Sequence, residues 1–212
     1  MPADTVPAGP VQIDTEAGAA QVELDGTGSA CAPRFLLVLT HGAGGSAAAP
    51  DLLTARDVAV NLGGLVARVT QPYRVRGARA PGSAVVQDAA WGEVVSALRD
   101  MVPGVPLVQG GRSNGARVAC RTAVTLGARA VIALAFPLHP PRPDAPSRRD
   151  ELLMARVSGA KVLVVNGERD PFGIPAAEDA DRVVVVPGET HALKGHRAVI
   201  AAAIAEWLPA VL

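Results

Sequence analysis

Short apolar runs alternate with longer amphipathic stretches along most of this sequence, and this alternation constrains the fold more than any other feature. Continuous apolar runs are typical of strands that are buried on both faces of a parallel sheet, and helical spacing between them indicates crossover helices. The chain is therefore predicted to form an α/β fold, with a mostly parallel, doubly wound sheet and helices on both faces. The predicted strands lie at 35–39, 64–69, 106–109, 130–136, 161–165 and 182–186.

The other elements follow from the same patterns. Residues 11–15 and 20–24 alternate apolar and polar side chains, which predicts an antiparallel hairpin with one solvated face. Residues 74–82 are predicted to form an arginine-rich loop. Helices are predicted at 50–61, 83–101, 114–126, 148–157 and 196–208, with a helical turn at 175–181. A chain of 212 residues suits one domain, predicted over 11–212 after a loose leader at 1–10 that is rich in Pro, Ala and Gly.

A Gly-x-Ser-x-Gly motif at 111–115 joins one predicted strand to a predicted helix. In that context it is typical of a nucleophile elbow, where the serine takes a strained, positive-φ conformation. Glycines at 111 and 115 suit such a turn, because side chains there would crowd it. Ser113 is thus a candidate nucleophile, and the amide of Asn114 would face incoming negative charge at the helix N-terminus. The alternative is a Gly-rich turn with an incidental serine.

Two more polar residues follow later strands, so the topology would bring them to the same sheet edge as Ser113. His191 could take the serine proton as a general base. Asp170 could accept the other ring N–H of His191 and fix its tautomer. Taken alone, Asp170 could be a turn former before Pro171, and His191 could be a surface loop residue. The chain order Ser, Asp, His favours a catalytic triad.

A glycine-rich stretch, 41–45, follows the first buried strand. Its position is where the second half of an oxyanion hole belongs, so the backbone amides of Ala43 and Asn114 are predicted to bind the developing oxyanion. His41 itself is interpreted as structural. The alternative for this stretch is a flexible loop.

These motifs resemble those of a known group of proteins. The sequence is similar to the small α/β-hydrolases of the testis-expressed protein 30 and KAT8 regulatory NSL complex subunit 3 hydrolase-like family, over about residues 35–205. The resemblance implies an α/β-hydrolase fold with the triad Ser113, Asp170 and His191, and it implies no substrate. Asn114 stands where similar proteins usually carry Met, and Ala116 where they usually carry Gly. The matching pieces are 41–44, 71–73, 110–119, 136–141, 167–173 and 188–191.

Composition narrows the range of partners. The formal net charge is zero, so nothing indicates nucleic acid or an anionic membrane. The sequence shows neither a signal-peptide pattern nor a membrane-length apolar run, which predicts a cytoplasmic protein. Cys31 and Cys120 are interpreted as free thiols, with Cys120 in a buried helix. No motif indicates a metal or an organic cofactor, and the oligomeric state is left open.

The loops at the predicted site indicate what the substrate could be. The loop from Phe136 to Ser147 is too short for a helical lid, which predicts an open, shallow site for a small or flexible acyl substrate. Leu138 and His139 could line it, although His139 is more readily explained as structural. Arginines on loops at this edge could attract an anionic substrate, whereas ordinary solvated loop arginines are the favoured alternative. They are Arg74, Arg76, Arg79, Arg142, Arg148 and Arg149.

The sequence therefore predicts a serine hydrolase of the esterase, thioesterase or amidase type that works through an acyl-enzyme. Two other functions remain open. The chain could be a catalytically silent, hydrolase-like interaction protein, because a fold does not fix a function. It could also use the same triad for carbon–carbon bond hydrolysis or acyl transfer.

Overall fold

One eight-stranded sheet organises the computed structural model, which describes residues 10–26, 32–142, 144–157 and 159–212. The sheet order is β1-β2-β4-β3-β5-β6-β7-β8. The first two strands pair antiparallel as the predicted hairpin, and β3 to β8 run parallel. The strands are β1 (Val11–Thr15), β2 (Gly18–Asp25), β3 (Leu36–Thr40), β4 (Leu65–Thr70), β5 (Leu107–Arg112), β6 (Ala130–Leu134), β7 (Lys161–Gly167) and β8 (Arg182–Val186).

Helices cover both faces of this sheet, which confirms the predicted doubly wound architecture. Successive side chains of β3 point to opposite faces: Leu36 and Val38 enter one apolar core, and Leu37 and Leu39 enter the other. The first core packs against α3, α4 and α5, and the second against α1 and α6. The helices are α1 (Pro50–Asn61), α2 (Pro72–Val75), α3 (Ala84–Met101), α4 (Asn114–Leu126), α5 (Arg149–Val157) and α6 (Arg197–Val211), with a 3₁₀ turn at Ala177–Asp179.

The structure corrects several of the predicted boundaries. Residues 72–75 form the short helix α2, whereas the sequence indicated a strand end and a loop; Pro72 starts this helix in its first turn. Strand β6 ends at Leu134, earlier than predicted, because Ala135 takes a positive φ of 46°. Strand β7 continues two residues beyond the predicted end, to Gly167.

Several sequence predictions concern residues outside the described ones. These are all but the last residue of the leader at 1–10, and Cys31. Cys120 lies buried in α4 as a free thiol, as predicted.

Two further observations concern loops and membranes. Between β6 and α5 the described residues form no inserted helix, so no helical lid covers the sheet edge there. Among the helices in the described part of the chain, none combines the length and the apolar character that crossing a bilayer requires.

Candidate active site

Ser113 occupies the turn between β5 and α4. Its backbone angles are φ 53° and ψ −111°, and its N–H donates to the Leu134 carbonyl at 2.9 Å. A Cβ on Gly111 would lie 2.5 Å from the Gly115 carbonyl carbon, and one on Gly115 would lie 2.5 Å from the Thr40 oxygen. Both glycines are therefore required by close backbone packing, and the strained elbow predicted from the motif is confirmed.

Backbone strain is concentrated around this turn. Among the described residues, the non-glycine positions with positive φ are Ser113, Ala135 and Leu193. Ala135 follows β6, and Leu193 lies two positions after His191, so all three are at the carboxyl ends of the strands. Such conformations persist only where the surrounding structure enforces them, and they cluster at functional sites.

A continuous hydrogen-bonded chain joins the three residues that the sequence singled out. His191 Nε2 lies 2.9 Å from Ser113 Oγ, and His191 Nδ1 lies 2.8 Å from Asp170 Oδ2. The Asp170 carboxyl is fully buried, whereas the His191 ring is 19% exposed. These contacts match those expected between the serine, histidine and aspartate of a Ser-His-Asp triad.

The Asp170 carboxylate is held on its other sides. The Phe172 N–H donates to Oδ1 at 2.9 Å, and Asn166 Nδ2 lies 3.4 Å from Oδ2. Asn166 also bonds both backbone groups of Phe136 at 2.9 Å, which ties the end of β7 to the loop after β6. The Phe172 ring packs edge-on against the His191 ring, with centroids 4.6 Å apart. The carboxylate and the imidazole are therefore both fixed by neighbours.

Arg112 connects the elbow to the loop that carries His191. Its Nη2 donates to the His191 carbonyl oxygen at 2.7 Å, and its Nε lies 3.0 Å from Asp51 Oδ2. Burial raises the pKa of the Asp51 carboxyl, and the charge of Arg112 opposes that rise. The same loop is braced by Glu189, whose carboxylate accepts the backbone N–H groups of 194–196. The loop that carries His191 is thus held by two separate sets of hydrogen bonds between a charged side chain and the backbone.

The loop after β3 is organised by His41. Its ring is fully buried: Nδ1 bonds the Gly42 carbonyl at 2.8 Å, and Nε2 accepts the Gln71 N–H at 3.1 Å. Burial lowers the pKa of His41, so its neutral form is favoured. These bonds agree with the structural role predicted for it.

The two residues whose amides are predicted as oxyanion donors, Ala43 and Asn114, both line the cleft at Ser113. Within the described chain, neither backbone N–H donates to another backbone group. The Asn114 side chain donates from Nδ2 to Gln87 Oε1 at 2.7 Å.

The cleft has a volume of about 260 Å³, just below the ~300–1,000 Å³ usual for sites that hold drug-sized ligands. Its walls are mostly proline and other apolar groups, with two arginines, and no acidic side chain is among them. The lining residues are Ala43, Pro81, Ser113, Asn114, Arg117, Pro137, Pro141, Arg148 and Phe172. Leu138 and His139, considered from the sequence, are not part of this lining.

Of the six loop arginines, the structure places Arg148 alone in the wall of this cleft. Arg74 donates to the backbone oxygens of Gly45 and Ala78, and Arg76 donates to that of Ala17. Arg149 pairs with Asp179 at 2.7 Å. Arg79 and Arg142 are exposed.

Several residues in the site carried no role in the sequence analysis. Arg117, Phe172 and Arg112 stand within the motifs that support the resemblance, but only the fold shows that they contact the cleft or the histidine loop. Asp51 had no signal at all, since an acid in the first turn of a helix is commonplace. A buried carboxylate can be recognised only once its surroundings are known.

Comparison with known proteins identifies the family. A family model described as an alpha/beta hydrolase domain matches residues 33–193. The chain belongs to the alpha/beta hydrolase family. A comparison with curated protein sequences finds no match. The narrower resemblance, to the testis-expressed protein 30 group, stays a prediction.

Solved structures agree with this fold. Est1E from Butyrivibrio proteoclasticus superposes with a TM-score of 0.77 at 15% identity, covering 95% of this chain and 98% of that one. An alpha-beta serine hydrolase homologue from Coxiella burnetii gives 0.75 at 16% identity, covering 93% and 95%. An alpha/beta serine hydrolase without a lid, from Xanthomonas campestris, gives 0.72 at 20% identity, covering 96% and 97%. At these identities the likeness shows the fold alone.

Proposed function

We propose that this alpha/beta hydrolase is a serine hydrolase of the esterase or thioesterase type, acting on a small acyl substrate through an acyl-enzyme. The observation that carries the proposal is the chain of contacts from Asp170 Oδ2 through His191 to Ser113 Oγ, at 2.8 and 2.9 Å. Ser113, at the end of this chain of contacts, lines a cleft together with Ala43 and Asn114, whose backbone N–H groups donate to no other backbone group of the described residues.

The chemistry follows from these positions. Ser113 Oγ attacks the carbonyl carbon of the substrate while its proton passes to His191 Nε2. The amides of Ala43 and Asn114 hold the oxyanion that forms, and a single such donor contributes roughly 3–4 kcal/mol in the transition state. The imidazolium, stabilised by Asp170, then gives its proton to the leaving atom as the carbonyl–leaving-group bond breaks. Water repeats the sequence on the acyl-enzyme and releases the acid.

A fluorophosphonate probe tests the proposal directly, because it phosphonylates activated serines without requiring knowledge of the substrate. We expect one adduct by intact mass on the wild-type protein and none on Ser113→Ala. Ser147→Ala, which removes a hydroxyl from the nearby loop before α5, is the matched control and should still be labelled.

The absence of an adduct on well-folded wild-type protein would contradict the proposal. A catalytically silent interaction protein would then be the better account. Labelling at a different serine would retain a hydrolase but would reject the assignment of Ser113.

A further inference from the structure

The wall of the cleft carries a guanidinium that no carboxylate of the described residues binds in an ion pair. Arg117 binds both oxygens of Glu151 at 2.6 Å. Arg121 binds Asp88 and also reaches Glu151 at 3.3 Å. Arg148 is the third guanidinium of this cluster, and it forms no ion pair with any residue of the described chain. Three guanidinium groups therefore face two carboxylates, which leaves one positive charge.

Arg148 is held in place and keeps donors available. Its Nη1 donates to the Pro137 carbonyl at 3.2 Å, and its backbone N–H bonds the Leu138 carbonyl at 2.8 Å. The side chain is half-buried against the proline wall. Burial and the charge of Arg117 lower the pKa of Arg148, so an anion placed beside it would relieve both effects. A guanidinium offers a planar fork that fits a carboxylate.

The shape of the cleft shows which part of a substrate would meet this charge. Ser113 lines the cleft, whereas His191 does not. The leaving group must depart beside His191, because His191 gives it a proton. The cleft therefore receives the acyl portion, which stays attached to Ser113 after the leaving group is lost.

We infer that the enzyme prefers acyl groups ending in a carboxylate, which Arg148 binds while Ser113 attacks the other end. This inference rests on the proposed serine hydrolase function. The single positive charge of Arg148, which has no ion-pair partner among the described residues, matches one carboxylate. A cleft of about 260 Å³ is large enough for a short acyl chain only. The apolar wall strengthens the contact by excluding water.

The test compares 4-nitrophenyl monoesters of succinic, glutaric and adipic acid with the same esters capped as methyl esters. We expect wild-type kcat/KM to favour at least one free acid over its capped form by roughly tenfold or more, as a charged hydrogen bond in a half-buried site allows. Arg148→Gln should remove this preference, and Arg148→Lys should retain part of it. Because the readout is a ratio of two substrates on one preparation, partial misfolding of a variant cancels.

Arg142→Gln is the matched control, since it removes the same charge from the same loop outside the cleft. Equal losses in Arg142→Gln and Arg148→Gln would mean long-range attraction, and would overturn the inference. Hydrolysis of the capped esters with no preference for any free acid would overturn it while the serine hydrolase proposal stands. No hydrolysis and no fluorophosphonate adduct would reject both.

Discussion

Asp170 is the residue whose environment most clearly assigns it a task. Its carboxyl is fully buried, and its oxygens face His191 Nδ1 and the Phe172 N–H. In the proposed mechanism, this buried carboxylate keeps the imidazole proton on Nδ1, so that Nε2 is free to accept the proton of Ser113.

Asp170→Asn should therefore lower kcat for a 4-nitrophenyl ester by roughly 10⁴-fold, through loss of the correct tautomer. The thermal midpoint should change little, because the amide is nearly isosteric. Steady-state kinetics and a melting curve measure the two effects. Asp144→Asn, on the exposed loop before α5, should leave both unchanged. A loss of tenfold or less would show that another carboxylate orients the base.

His41 links the stability of the protein to pH. Burial holds its pKa in the folded state below the ordinary value of 6.5. Below pH 6.5 the unfolded chain thus binds a proton that the folded chain resists, and the free energy of unfolding decreases as the pH falls. For one proton the slope reaches at most about 1.4 kcal/mol per pH unit.

We expect His41→Asn, although less stable overall, to show a smaller decrease in the free energy of unfolding between about pH 6.5 and pH 5 than the wild type. Urea unfolding at a series of pH values measures this slope. His139→Asn is the control, because His139 is exposed and should leave the slope as it is. Parallel curves for wild type and His41→Asn would show that another group causes the acid sensitivity.

A site residue can be recognised from the sequence only when its role depends on residues that are close to it along the chain. Ser113 was recognisable because its neighbours at 111 and 115 report a crowded turn, and Asp170 and His191 because each follows a strand. Arg148 could not be separated from five other loop arginines, since its distinction is its place in the wall of the cleft, which only the folded chain shows. Asp51 was invisible for the same reason.

At the scale of elements, one of the tightest backbone approaches in the site is that of α4 to β3 at Gly115. A Cβ there would lie 2.5 Å from the Thr40 oxygen and 2.8 Å from the His41 oxygen. Both atoms belong to the backbone, so no side chain can move aside. The helix would have to shift, and with it the elbow that it supports.

Gly115→Ala should consequently lower the free energy of unfolding by about 2 kcal/mol or more and reduce fluorophosphonate labelling. Gly92→Ala makes the same chemical change inside α3, where the nearest atom would be 3.9 Å away. That control should raise stability by about 0.5–1 kcal/mol, through the higher helix propensity of alanine. Denaturant unfolding of both variants measures these changes. Equal changes in the free energy of unfolding would argue against the tight contact at Gly115.

The strands of the sheet were predictable because burial on both faces leaves long apolar runs, and the helices because they keep their spacing. The predicted boundaries that were wrong have local causes, which the secondary-structure propensities of the residues do not reveal. Helix α2 is a single turn begun by Pro72, too short to show a period. Strand β6 ends before Ala135 because the backbone takes a positive φ there. Alanine rarely adopts this conformation, so the sequence does not predict it.

At the scale of the whole molecule, the two edge strands of the sheet differ in polarity. Strand β1 carries Gln12 and Asp14, whereas β8 contains four consecutive valines, of which Val185 is 43% exposed. Apolar edge strands invite pairing with other molecules. A formal net charge of zero adds no general repulsion against such contact.

Val185→Lys should therefore reduce light scattering at high protein concentration near neutral pH, without lowering fluorophosphonate labelling. Gln12→Lys adds the same charge on the other edge of the sheet. If both variants reduce scattering equally, net charge rather than the β8 edge is responsible.

The positive φ of Ser113 has a practical consequence for anyone who engineers this protein. A strained non-glycine residue costs about 1–3 kcal/mol, so Ser113→Gly should melt a few degrees above the wild type, while Ser113→Ala, which keeps its Cβ, should not share the whole gain. A library screened for heat resistance alone would then enrich variants that have lost the hydroxyl. Selection for thermal tolerance in this molecule therefore has to be combined with selection for turnover, because otherwise substitutions of Ser113 will be among the first to be enriched.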